Sequence, residues 1–199
     1  YKIINELAEL NWVGDIQPHS YGEPLLDGRL PSFCSYIRGK IPLASISIYT
    51  NGELLNIDWY KKLVSAGVNK FRVTQHLENE SKGTLDVIRY REKQTHNNIE
   101  FTYTRLNHIN SRGGLVDVDE GKLRQECNYP DHHVGISFDG QILICCNDYL
   151  NDVKVGNIKD EKLIDIWQKP IYKDIRTNIR SGNFTLDICK NCTDGKVYT

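Results

Sequence analysis

The chain has 199 residues, 39% of them hydrophobic, enough for one core of ordinary size or a barrel-like piece with a smaller appended domain. Lys and Arg number 25 against 26 Asp and Glu, and a formal net charge of -1 gives no field that would gather the protein onto nucleic acid or anionic lipid. A small molecule or a peptide suits it better as a substrate.

No apolar run approaches the roughly 18 to 20 residues that cross a bilayer, and the N-terminus lacks the basic and then apolar pattern of a secretory signal. A cytoplasmic protein without a membrane partner is the expectation. Six cysteines then need an explanation, because reducing conditions keep thiols from pairing, and metal is the first candidate. The chain contains no Met, not even at position 1, so it is expected to begin inside a longer gene product.

Ile3, Ile4, Leu7 and Leu10 stand near helical spacing, and an apolar stretch from Trp12 to Ile16 follows, the pattern of a helix feeding a strand. Tyr21-Gly22-Glu23-Pro24 reads as a turn. A second unit has a helix near 29–39 and a strand near 43–49, closed by Thr50-Asn51-Gly52. A third has a helix over 57–66 ending at Gly67 and a strand over 70–75; a helix near 81–95 and a strand over 99–105 complete the series. Strands alternating with helices at this spacing predict an α/β fold with a parallel sheet and an active site at the strand C-terminal ends. With one more strand upstream it makes a partial (β/α) barrel, open on one side and able to accept larger substrates. Tyr103, Arg105, Asn107 and His108 follow the last strand, where they line either the top of that pocket or the surface.

Over 107–126 the pattern breaks. Ser111-Arg112-Gly113-Gly114 reads as flexible and Asp117 to Glu126 as charged linker, which divides the chain into 1–110, a linker over 111–126, and 127–199. Beyond it, Val134 to Phe138 and Gln141 to Cys145 flank Asp139-Gly140, the strongest short hairpin signal in the chain. Leu163, Ile166, Trp167, Ile171, Ile175 and Ile179, interrupted by Pro170, predict one or two helices packed on the hairpin.

Cys189-x2-Cys192 lets two thiolates of one tight loop reach a single metal centre. Cys145 ends the second hairpin strand and Cys127 precedes the first, so pairing is expected to bring four sulfurs together. On spacing alone an iron-sulfur cluster and a four-cysteine zinc site stand nearly even, with inert buried cysteines behind both. Adjacent strand residues point to opposite faces, so Cys146 reads as packing; Cys34, in a predicted helix, reads as core.

Cys127-x12-Gly140-x4-Cys145, followed by Cys146-Asn147-Asp148, Gly156-Asn157-Ile158, Ile166-Trp167, Arg176 and Cys189-x2-Cys192, resembles the SPASM/twitch auxiliary-cluster domain of radical S-adenosylmethionine (SAM) enzymes. The resemblance implies that Cys127, Cys145, Cys189 and Cys192 hold one auxiliary [4Fe-4S] cluster. Full SPASM domains carry further cysteines and a second auxiliary cluster, so the shorter twitch form is expected, a β-hairpin plus helix iron-sulfur domain. Tyr21-Gly22-Glu23-Pro24-Leu25-Leu26 resembles the radical SAM GGEP motif, which binds the amino group of SAM, with Tyr21 in place of the first Gly. An ammonium wants acceptors, and Gly22 permits close backbone approach. The same resemblance places Thr50 and Asn51 beside SAM and gives the Thr74 hydroxyl to its ribose, with His76 standing where relatives have a carboxylate. On the residues alone, Thr74 is an ordinary strand residue and His76 a solvated loop histidine.

The CxxxCxxC loop that holds the catalytic cluster in this superfamily does not occur in the chain. Relatives place it upstream of a helix like that of residues 1–10, so a second [4Fe-4S] cluster is expected from a preceding segment. The resemblance implies an oxidoreductase or modifying enzyme in which a 5′-deoxyadenosyl radical attacks a peptide or sugar-like substrate. The auxiliary cluster would transfer an electron, and a flavodoxin or ferredoxin would act as donor. Two other readings stay open: a zinc-binding adaptor, and a degenerate relative without SAM cleavage.

Overall fold

The alternation of helix and strand over the first hundred residues folds as its spacing demands. A computed structural model describes residues 1–94, 98–106, 111–118 and 122–194 of the chain. It divides into two units, Tyr1–Leu106 and Asn107–Thr199. Asn107 and His108, the pocket candidates past the last strand, lie outside the described residues.

In the first unit the order is α1 (Lys2–Glu9), β1 (Asp15–Ile16), α2 (Leu30–Lys40), β2 (Ser45–Thr50), α3 (Ile57–Ser65), β3 (Lys70–Gln75), α4 (Lys82–Glu92) and β4 (Glu100–Arg105). The four strands form one parallel sheet in the order β1-β2-β3-β4, the sequential arc of a partial barrel. Two helix starts are capped by side chains: Asn56 accepts from Trp59 N and Ser81 from Thr84 N, each satisfying one otherwise unpaired N–H. β2 is buried on both faces, as a parallel strand covered by helices must be. Ile46, Ile48 and Phe71 are fully buried with Ile37, Leu63 and Val87 of the helices, each contributing about 1.5–3 kcal/mol by burial. Cys34 lies in that core, where burial pushes its thiol up to about 12, so it is the packing residue its place in the sequence suggests.

The second unit runs β5 (Lys122–Leu123), α5 (Tyr129–His132), β6 (Gly135–Ile136), β7 (Ile142–Leu143), α6 (Leu163–Gln168), α7 (Pro170–Arg180), α8 (Asp187–Lys190) and β8 (Thr193–Asp194). β6 and β7 form the hairpin, with Gly140 at φ 88° in its turn. Pairing spans two residues on each strand, fewer than the alternation suggests, and the second strand also serves a partner on its other edge. Ile142 N donates to Gly156 O, Ile158 N donates to Gly140 O, and Ile144 N turns to the Asp148 carboxylate. A Cβ on Gly156 would lie 2.8 Å from Ile166 Cγ1, so α6 sits directly on that added segment. α6 and α7 break at Pro170 as expected, and Ile142, Ile144, Ile166 and Tyr172 form the buried centre.

Part of the stretch expected as linker is built into this unit instead. β5 pairs antiparallel with β8, and Arg124 N donates to Cys192 O. Ser111-Arg112-Gly113-Gly114 is not flexible: Ser111 N donates to Thr193 Oγ1 at 3.0 Å and Ser111 Oγ to Asn191 O at 2.6 Å. Gly113 and Gly114 hold φ of 69° and 95°, and a Cβ on either would press within 3.2 Å of Ile188 or 2.9 Å of Asn191. Glycine serves close approach here, not chain freedom. Among the described residues no helix is long and apolar enough to cross a membrane.

Candidate functional site

Glu23, Thr50 and Asn51, singled out separately in the sequence, meet at the C-terminal end of β2. Pro24 presets the backbone of a short 3-10 turn, Pro24–Leu26, and Glu23 caps it. Glu23 Oε1 accepts from Leu25 N at 3.0 Å and from Thr50 Oγ1 at 2.7 Å, and Oε2 accepts from Asn51 N at 2.9 Å. The carboxylate thereby fills three of its roughly four acceptor positions and clamps the turn to the strand end. Gly22 has φ 88° with open space where a Cβ would stand. Gly52, at φ 80°, closes the other side: a Cβ there would lie 2.6 Å from Val73 Cγ1, and the Thr84 hydroxyl donates to its carbonyl at 2.8 Å. Tyr21 stands exposed beside the turn.

Two residues that sequence reasoning missed complete this edge. Ser47 Oγ donates to Asp15 Oδ1 at 2.8 Å, and Tyr49 N donates to His19 Nε2 at 3.0 Å. Burial holds the His19 pKa below its usual range, against the opposing pull of Glu23 and the Ser20 backbone. The only trace of this in the sequence is the spacing of Asp15, His19 and Glu23, four apart, which has meaning once β2 is known to lie opposite.

Beyond β3, buried Gln75 organises the next loop. Its Oε1 accepts from Tyr103 OH at 2.6 Å, and its Nε2 donates to Leu77 O at 2.6 Å. Arg105 Nη2 donates to Glu78 O in the same loop. Asn51 and exposed His76 share a cleft of about 240 Å³ with Glu53, Gln75 and Glu80. Thr74 is half-buried on β3, in register with Thr104.

In the second unit the four predicted cysteines are all half-buried. Cys189 and Cys192 bracket a turn in which Cys192 N donates to Cys189 O at 3.2 Å. Cys127 is held at the end of α7, its N donating to Ile179 O, so it is α7 and not hairpin pairing that anchors it. Cys145 lies past β7 in a turn closed by Asp148 N to Cys145 O. Regular strand alternation therefore does not reach Cys146, which is exposed and not the packing residue expected. Burial pushes Cys145 and Cys189 up to about 12. Cys192 and Cys127 add to that rise at Cys189, and Cys146 and Cys189 add to it at Cys145, so the four candidate thiols share one neighbourhood.

Asn147, buried between them, was not assigned a role by sequence. Its backbone N donates to Cys145 Sγ and its side-chain Nδ2 to Cys192 Sγ, both at 3.4 Å. Beneath the site Arg176 lies 3.8 Å from the Trp167 ring centroid and 4.4 Å from that of Tyr172, and it donates to Trp167 O. Among the described residues no three His, Cys, Asp or Glu side chains are drawn tightly enough to hold a single metal ion. A zinc ion needs all four sulfurs at about 2.3 Å, whereas a four-iron cluster takes each on a separate iron. Four thiols in one neighbourhood with N–H donors aimed at two of them fit the cluster.

Residues 127–193 match the SPASM family, an iron-sulfur cluster-binding domain. The chain is 30% identical to the S-adenosyl-L-methionine-dependent 2-deoxy-scyllo-inosamine dehydrogenase of Niallia circulans, across 99% of this chain and 80% of that protein. Among solved structures it is similar to BtrN in complex with AdoMet and 2-DOIA, with a TM-score of 0.85 and 29% identity over 97% of this chain and 78% of that one. It is also similar to BtrN in an open conformation, with a TM-score of 0.75 and 26% identity over 97% and 77%.

Proposed function

The chain belongs to the radical SAM superfamily and carries its SPASM iron-sulfur domain, and from that premise we propose that it dehydrogenates a small, hydroxyl-rich, sugar-like molecule of the aminocyclitol kind. The observation that carries this reading is the presence of both a clamp and a four-cysteine site in a chain alignable over 99% of its length with an aminocyclitol dehydrogenase. When bound, SAM and the clusters supply a 5′-deoxyadenosyl radical that takes a carbon-bound hydrogen, and a one-electron acceptor.

The chain's own residues have the following tasks in this reading. Glu23 fixes the turn, and its remaining acceptor position, with the backbone at Tyr21 and Gly22, accepts from the SAM ammonium. Asn51 and His76 border the adjoining cleft, and the Thr74 hydroxyl is offered to the ribose. Cys127, Cys145, Cys189 and Cys192 hold the auxiliary cluster, with Asn147 donating to two of the sulfurs. Ligation of every iron by cysteine leaves none open for substrate, which favours electron transfer as the role of that cluster.

The test is turnover of the anaerobically purified whole protein with SAM, a strong reductant, and parallel panels of aminocyclitols and peptides. Formation of 5′-deoxyadenosine in step with a ketone product from the aminocyclitol panel is expected. A colourless protein holding zinc without sulfide would replace this reading with the adaptor. SAM cleavage with peptides alone would reassign the substrate.

A further inference from the structure

In a parallel sheet the N–H groups of alternate residues face the same edge. On β2 and the residue that follows it, those of Ser45, Tyr49 and Asn51 face the β1 side. Ser45 N donates to Gly14 O at 3.2 Å, an ordinary backbone rung. β1 then stops at Ile16, yet Tyr49 N donates to His19 Nε2 at 3.0 Å and Asn51 N to Glu23 Oε2 at 2.9 Å. Past the end of β1, His19 and Glu23, four residues apart, accept from the backbone N–H groups of Tyr49 and Asn51, two apart; inside β1, Asp15 accepts from the Ser47 hydroxyl instead. Side chains thus continue the ladder where the backbone strand has ended, and His19 is the rung before the carboxylate that holds the turn.

We propose that neutral His19 is a positioning residue of the SAM site: its Nε2 lone pair holds the segment before Gly22 against β2, and protonation of that nitrogen releases the turn. The proposal rests on the reading of the Glu23 turn as the SAM site. Tyr49 points an N–H at Nε2, so that nitrogen carries the lone pair and the proton sits on Nδ1. A proton on Nε2 would set donor against donor. The Tyr49 ring packs edge-on at 6.2 Å, with the Arg72 guanidinium 5.5 Å from its centroid, and Glu23 is the nearby carboxylate. Burial outweighs that carboxylate and keeps the folded pKa below 6.5. The sign follows: the bond is intact above the unfolded pKa and is lost as pH falls through the lower folded value.

The experiment compares the wild-type whole protein with H19A, H19Q and E23A. It reads hydrogen exchange of the peptide spanning 45–51 and SAM affinity by calorimetry across the acid range. Loss of one such bond predicts exchange and SAM dissociation constants about three- to tenfold higher in H19A. H19Q, whose amide oxygen can accept from Tyr49 N, is expected to stay closer to wild type in both and to lose the acid-side weakening of SAM binding. Unchanged exchange in H19A, or acid-side weakening in H19Q equal to that of wild type, would overturn the proposal. Should H19A fail to fold, the pH comparison of H19Q with wild type decides alone. Unchanged SAM affinity in E23A would instead remove the SAM reading of the turn, and the positioning role with it, even where H19A exchanges fast.

Discussion

The clamp at the end of β2 is complete as the chain builds it: Glu23 accepts three hydrogen bonds, and the donors at Leu25, Thr50 and Asn51 are all satisfied. The cysteine site is built the other way. Cys145 and Cys189 are thiols that burial keeps protonated, although each has to lose its proton to hold a metal. One unit organises its site with its own backbone. The other leaves its site to be organised by what it binds, as expected where metal binding is itself folding free energy.

The most severe way to break this contrast is to withhold the metal. C189A, or chelation of the wild type, is expected to remove the auxiliary cluster's iron and sulfide and to strip exchange protection from 127–193 while leaving 45–52 within about twofold of wild type. Retained protection over 127–193 would show that both sites are equally self-sufficient. F71A attacks the contrast from the other side, since Phe71 is fully buried in the first unit. Denaturant unfolding should report a loss of about 3–5 kcal/mol there, with iron content unaltered. E23Q is milder: its amide sets an N–H₂ against either Asn51 N or the Thr50 and Leu25 donors, for about 1–3 kcal/mol by the same measurement and weaker SAM binding. N147A should change stability least, by about 1 kcal/mol. Its signature is electrochemical: removing the donor to Cys192 Sγ is expected to lower the auxiliary-cluster potential, read by a titration followed by electron paramagnetic resonance.

What the sequence made legible was whatever depends on neighbours along the chain. Burial periodicity marked the helix and strand alternation, Asp139-Gly140 marked the hairpin turn, and Pro170 marked the break between α6 and α7. Lengths of pairing and second partners were not legible, because they depend on segments distant in sequence: β1 ends after two residues, and β7 also bonds the segment around Gly156. Glu23, Thr50 and Asn51 could be named from a motif, but not that they bond to one another. His19 was not singled out, and Asn147 was a motif landmark without a role, because what they bond to, a backbone N–H and two sulfurs, arrives only with the topology. Gly113-Gly114 misled, since glycine is the residue both of slack chain and of tightest approach, and only the neighbour tells which.

That pair of glycines also makes the bond after Arg112 informative. The Arg112 side chain is exposed, as trypsin requires, yet the backbone on either side is pinned by Ser111 to Asn191 and Thr193 and is pressed against Ile188. A protease engages chain that can come away from its surroundings. Cleavage after Arg112 is therefore expected to quicken when the CxxC turn is lost, and the mass of the fragment that ends at Arg112 in a brief tryptic digest reads whether that turn is standing.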